Sequence, residues 1–110
     1  MNTTTVFLYT GDWTTDTWTH LTSLAFTSMD SLWMLEEKIP DEHDIVPWQK
    51  VTLPSGEELS IGVVFDDPEK SLALHVKASN RPVLELITRG RPCLRFHTPG
   101  GSDITLQIHE

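Results

Sequence analysis

The chain has 110 residues and a mass of 12.5 kDa, with 38% hydrophobic and 22% charged side chains; this fits a single domain over residues 1–110 and excludes both a disordered chain and two independent cores. Sixteen acidic residues against eight basic ones give a net charge of −8, a field that repels a polyanion and argues against direct nucleic-acid binding. No run approaches the roughly 18 apolar residues of a membrane span, residues 1–5 lack the features of a secretory signal, and one cysteine, Cys93, excludes an internal disulfide and suits a reducing compartment, so a cytoplasmic protein with no membrane partner is expected.

In chain order, residues 5–10 (TVFLYT) are β-branched and aromatic and end at Gly11-Asp12, the mark of a strand. From Trp18 the apolar residues recur as Leu21, Ala25, Met29, Leu32 and Leu35. Steps of three and four predict a helix over residues 14–38, capped by Thr14, Thr15 or Asp16 and stopped before Pro40. Thr17, Thr19, Thr22 and Thr27 are poor helix formers, so a helix broken near Thr27-Ser28 is the alternative to a continuous one. After Pro47, turn signals separate six short segments: 48–53, 58–65, 72–78, 83–88, 94–98 and 103–109. Several alternate, as in Leu59/Ile61/Val63/Phe65, Leu72/Leu74/Val76, Leu94/Phe96 and Ile104/Leu106/Ile108. The expected fold is therefore two-layer α+β: a mainly antiparallel meander of about six or seven strands, with the long or broken helix packed on its apolar face. Leu74, Val76, Phe96, Leu106 and Ile108 are expected in the core.

The residues of opposite phase point outward. Trp48, Val64 and either Val83 or Ile87 would then form an apolar island ringed by basic and imidazole groups, the build of a partner-binding patch unless another segment covers it. His75, His97 and His109 share this outward phase on three strands, but an intervening strand separates His75 from His97, and no metal-binding spacing is present. Cys93 lies among Arg89, Arg91 and Arg95, a setting that activates a thiol, yet nothing fixes a base beside it. The carboxylate pairs, Glu57/Glu58 among them, fall at turns and element ends where water screens them. No phosphate loop, dinucleotide fingerprint or nucleophile elbow occurs. Neither an enzyme nor a cofactor is indicated.

Charge is unevenly laid out. Residues 1–70 hold thirteen acids against Lys38, Lys50 and Lys70, whereas residues 71–110 are net basic. The densest stretch, residues 36–44 (EEKIPDEHD), packs five carboxylates into nine positions. All four tryptophans, Trp13, Trp18, Trp33 and Trp48, fall in the acidic half, and Trp is the residue most enriched at binding hot spots. The expected function is that of a small acidic inhibitor that blocks a basic, nucleic-acid-binding surface of a protein partner. Glu37, Asp41, Glu42 and Asp44 would steer association, and Trp33 or Trp48 would anchor it. No motif assigns a family; in type alone, the profile is similar to anti-CRISPR and toxin-immunity proteins of phage and bacterial defence. A self-associating assembly subunit is the alternative, since an acidic half and a basic half attract one another. A small-ligand protein or enzyme using a cavity between helix and sheet ranks below both.

Overall fold

The computed structural model describes residues 3–27, 48–66 and 71–109. These residues form eight strands and no helix: β1 (Thr3–Asp12), β2 (Thr17–Thr27), β3 (Gln49–Thr52), β4 (Glu58–Asp66), β5 (Ser71–Ala78), β6 (Arg81–Thr88), β7 (Cys93–His97) and β8 (Asp103–His109). They build two four-stranded antiparallel sheets. Sheet A has the order β2-β1-β8-β7 and sheet B the order β3-β4-β5-β6. Their inner faces share one core, in which Val6, Leu8, Phe26, Ile104, Leu106 and Ile108 of sheet A meet Leu59, Ile61, Val63, Leu74 and Val76 of sheet B.

The expected α+β architecture is thus corrected to an all-β sandwich. Strands β3 to β6 do form a meander, but β7 and β8 leave it to pair with β1. The greasy face of the meander needed a cover, and a second sheet supplies it.

The predicted helix fails over residues 17–27 for a local reason. Inward residues of β1 pair Val6↔Leu24 and Leu8↔Thr22, but the next pair is Tyr9↔His20. Leu21 is the extra residue of a β-bulge. Packed against the core at the bulge, it falls by chance three residues after outward Trp18 and four before outward Ala25, which reads as a helical period in the sequence. Ala25, on the expected helix stripe, is exposed opposite Thr5, while Phe26, off the stripe, is fully buried. The four threonines that resist a helix are at home in a strand. Residues 28–38 of the predicted helix lie outside the described residues.

A second bulge, opposite the Val76/Lys77 step of β5, explains why β6 does not alternate: Leu84 and Leu86 face the core, Val83 also packs against it, and Ile87 stands outward at 73% exposed. Of the five expected core residues, Leu74, Val76, Leu106 and Ile108 are fully buried, and Phe96 is partly buried on edge strand β7.

Two five-residue loops of one design close the same end of the sandwich. In residues 53–57 (LPSGE) and 98–102 (TPGGS), the first N–H donates to the fifth carbonyl and the fourth N–H to the first carbonyl. Gly56 and Gly101 supply the positive φ, 91° and 89°, that each loop requires. The loops also lock to each other across the two sheets. The Glu57 carboxylate accepts from the Thr98 hydroxyl and from Gly100 N–H at 2.8 Å, and the Ser55 and Ser102 hydroxyls meet at 3.2 Å. A Cβ on Gly100 would lie 2.6 Å from that carboxylate, so the glycine admits it. Glu57 is therefore a structural clamp, in contrast to the screened turn residue expected from sequence. Charged hydrogen bonds of this kind are worth about 1.5–3 kcal/mol when well buried; for half-buried Glu57, Glu57→Ala should lower the unfolding free energy in urea by about 1–2 kcal/mol. Glu58→Ala, which removes only an exposed 3.4 Å pair with Lys50, should change it by less than about 0.5 kcal/mol.

Candidate functional site

Outward positions of a half-solvated antiparallel sheet are ordinarily polar. Sheet A departs from this. Its strand registers place Trp18, Gly11, Asp103 and His97 in one row across the outer face. The next row holds His20, Tyr9, Thr105 and Arg95, and the one after it Ser23, Phe7, Gln107 and Cys93. With His109 beside Thr5 and Trp13 at the end of β1, seven rings of the chain gather on or beside one face. They touch one another: Phe7 meets His109 edge-on at 4.9 Å, Tyr9 meets His20 at 5.5 Å, and Trp13 lies 3.9 Å from His97. The Tyr9 hydroxyl donates to Gln107 Oε1 at 3.4 Å.

The tip of the β1–β2 hairpin adds charge to this surface. Residues 13–16 make a four-residue connection, closed by Asp16 N–H donating to Trp13 O at 3.4 Å, with Asp16 in the left-handed region at φ 50°. Asp12 accepts from the Thr14 hydroxyl at 2.6 Å and the Thr14 N–H at 2.8 Å; these two bonds, the hydroxyl's first, hold its carboxyl below the usual range, so it is ionised at neutral pH. Asp103, ninety residues further on, accepts from Trp13 N–H at 3.0 Å through one oxygen and pairs with His97 Nδ1 through the other. Trp18 donates its indole N–H to Asp16 at 3.0 Å, and the Arg95 guanidinium lies 5.3 Å from the Trp18 ring centre and 3.6 Å from Asp16. Gly11 has no Cβ because one would come within 2.8 Å of the Trp18 ring and closer still to the Thr17 carbonyl. A cleft of about 530 Å³ opens beside this tip, bordered by Asp12, Asp103, Ser55 and Ser102.

Sheet B carries the patch that alternation predicts. Val64, Ala73 and Ile87 are in register across its outer face, and His75 stands between Gly62 and Glu85. Trp48, just before β3, lies 6.0 Å from the His75 ring, with Lys77 Nζ 4.4 Å above its own ring. The island is therefore Trp48, Val64 and Ile87, with Val83 turned to the core. Strand β1 belongs to the other sheet and does not pair here.

Of the expected partner-binding residues, Trp48 alone is described; Trp33, Glu37, Asp41, Glu42 and Asp44 lie outside the described residues. What the structure does fix is where that segment is attached. It leaves sheet A after Thr27 and rejoins sheet B at β3, and those two edges are tied by Gln49 Nε2 donating to Ala25 O at 2.9 Å. The three outward histidines do not converge, since His75 is on sheet B while His97 and His109 are on sheet A. Among the described residues, no cluster of three or more metal-ligating side chains occurs. Cys93 is exposed on edge strand β7 opposite Gln107. No described helix is long and apolar enough to cross a membrane.

Sequence reasoning missed the hairpin tip because it spent Thr14–Asp16 on a helix cap. The signal was present: in residues 12–18 (DWTTDTW) two tryptophans alternate with two aspartates around a Thr-rich turn. Comparison with protein-family models, with curated proteins and with solved structures returns no match.

Proposed function

We propose that the protein is a non-enzymatic, cytoplasmic binding module that blocks a basic, nucleic-acid-binding surface of a protein partner. The observation that carries this reading is the uneven distribution of charge along the chain. The described strands and turns are nearly balanced, with seven acidic and six basic side chains, whereas residues 28–47 hold six acids against Lys38. A concentration of like charge adds little stability yet projects a long-range field. The acidic segment joins the sandwich beside Trp48 and its apolar island, so steering charge and an aromatic anchor are neighbours in the chain. Glu37, Asp41, Glu42 and Asp44 steer, and Trp48, with Trp33, anchors. In this reading the protein contacts no nucleic acid directly and needs no cofactor.

The test is competition. A partner captured from the source lysate should bind nucleic acid, and stoichiometric addition of this protein should release that nucleic acid. A partner that retains its nucleic acid with this protein bound would overturn the reading.

Self-association is the second reading, favoured by one observation. Along edge strands β6 and β7 the inward residues Leu84, Leu86, Leu94 and Phe96 are only half-buried, and Ile87 is exposed, so this side of the sandwich is open to another strand. A salt-sensitive oligomer in sedimentation supports this reading, and a monomer at all salt concentrations supports the blocker.

A further inference from the structure

We infer that the β1–β2 hairpin tip and the adjoining face of sheet A form a docking site for guanidinium groups, taking arginine side chains of a basic protein partner. This deepens the blocker reading and rests on it, by naming which basic side chain is recognised and where.

The site already displays its own chemistry. Within the chain the Arg95 guanidinium lies 3.6 Å from Asp16 and 5.3 Å from the Trp18 ring centre, and the indole N–H bonds that same carboxylate. A delocalised, weakly hydrated plane suits such a ring-and-carboxylate seat better than a compact ammonium does. The internal occupant is loosely held. Its contact to Asp16 is long at 3.6 Å, and the two side chains are 51% and 74% exposed. Exposed pairs of this kind are worth little, so an incoming arginine can take the seat at small cost. A second platform stands beside it. Trp13 is 37% exposed, with the His97 imidazole 3.9 Å from one side of its ring.

Two further observations point the same way. The tip gathers Asp12, Asp16 and Asp103, of which Asp16 pairs with Arg95 and Asp103 with His97, so acids outnumber arginines there and complement a basic surface. Thr105, in register between Tyr9 and Arg95 on this face, is 5% exposed, and its Oγ1 is buried with no hydrogen-bond partner. A buried acceptor without a donor is costly to leave unmet. A guanidinium carries five N–H donors in a fixed fork, and one that displaces the Arg95 side chain beside Thr105 can satisfy it. The tip lies at the far end of β2 from Thr27, ten residue steps or about 30 Å at 3.3 Å per residue.

The experiment uses the intact chain with two probes of equal charge, octa-arginine and octa-lysine, titrated at low salt. Octa-arginine should bind about three- to fivefold more tightly, the gain expected of an exposed cation–π contact. Trp13→Ala and Asp16→Asn, checked for an unchanged thermal melt, should bring the ratio toward one. Arg95→Gln removes the internal competitor and should raise the ratio above that of the native chain. Charge reversal of Glu37, Asp41, Glu42 and Asp44 should weaken both peptides and leave the ratio alone, which separates this site from the steering segment. Equal binding of the two peptides, no binding of either, or a ratio indifferent to Trp13 and Arg95 would overturn the inference. Each of those outcomes leaves the blocker reading to stand or fall on its own competition assay.

Discussion

Phe26→Ala should destabilise the protein by about 3–5 kcal/mol, the largest effect of any single substitution discussed. Phe26 is fully buried, pairs with Thr4 of β1, and among the described residues is the largest side chain wholly enclosed by the core. Its removal loses the transfer free energy of a ring and leaves a cavity between two sheets whose backbones are tied by their own ladders, so little collapse can refill it. Total stabilities of small domains are about 5–15 kcal/mol, so the variant should melt far below the native chain. The neighbouring substitution sharpens the test. Ala25→Lys places a long polar side chain at an exposed outward position and should change stability by less than about 0.5 kcal/mol. A helix with the stripe Trp18, Leu21, Ala25 predicts the reverse order. Chemical denaturation of the two variants therefore decides between strand and helix for residues 17–27, and a costlier Ala25→Lys would refute the strand.

Those two adjacent residues show what could be read from the sequence. Every described strand after Pro47 is legible, because a Pro- or Gly-marked turn bounds each one, as at Pro54-Ser55-Gly56 and Pro99-Gly100-Gly101, and all but the bulged β6 fit a simple alternation. Strand β2 is not, because the bulged residue Leu21 falls three after Trp18 and four before Ala25, two residues of the outer face, and the three together imitate a helical stripe. The partition into two sheets was equally hidden. Alternation states which side chains face a core, but whether β7 pairs with β6 or with β8 alone is settled by long-range pairing that leaves no local trace. The candidate sites divide in the same way. The Trp48, Val64 and Ile87 island follows from alternation within neighbouring strands of a meander. The seat made by Asp16, Trp18 and Arg95 requires β7 to reach sheet A, and the Trp13 to Asp103 bond joins positions ninety residues apart.

Replacing Glu37, Asp41, Glu42 and Asp44 by Lys should slow association with the captured partner by roughly tenfold or more at low salt while leaving the melting temperature nearly unchanged. The four substitutions take the formal net charge from −8 to 0, and they fall in the segment that holds most of the excess negative charge. Steering of this kind acts through the field before contact, so the loss belongs to the association rate more than to the dissociation rate. It must also be screened. The Debye length falls from about 30 Å at 0.01 M to about 8 Å at 0.15 M ionic strength, and the gap between the native and reversed chains should narrow across that range.

The most direct test of the blocker reading is therefore the association rate of the native and the four-Lys chain with the captured partner, measured by stopped flow from 0.01 to 0.15 M salt. The account predicts a native chain at least about tenfold faster at the low end, with the two rates converging as salt rises. Equal rates at 0.01 M would contradict it and leave the acidic segment with no role in recognition.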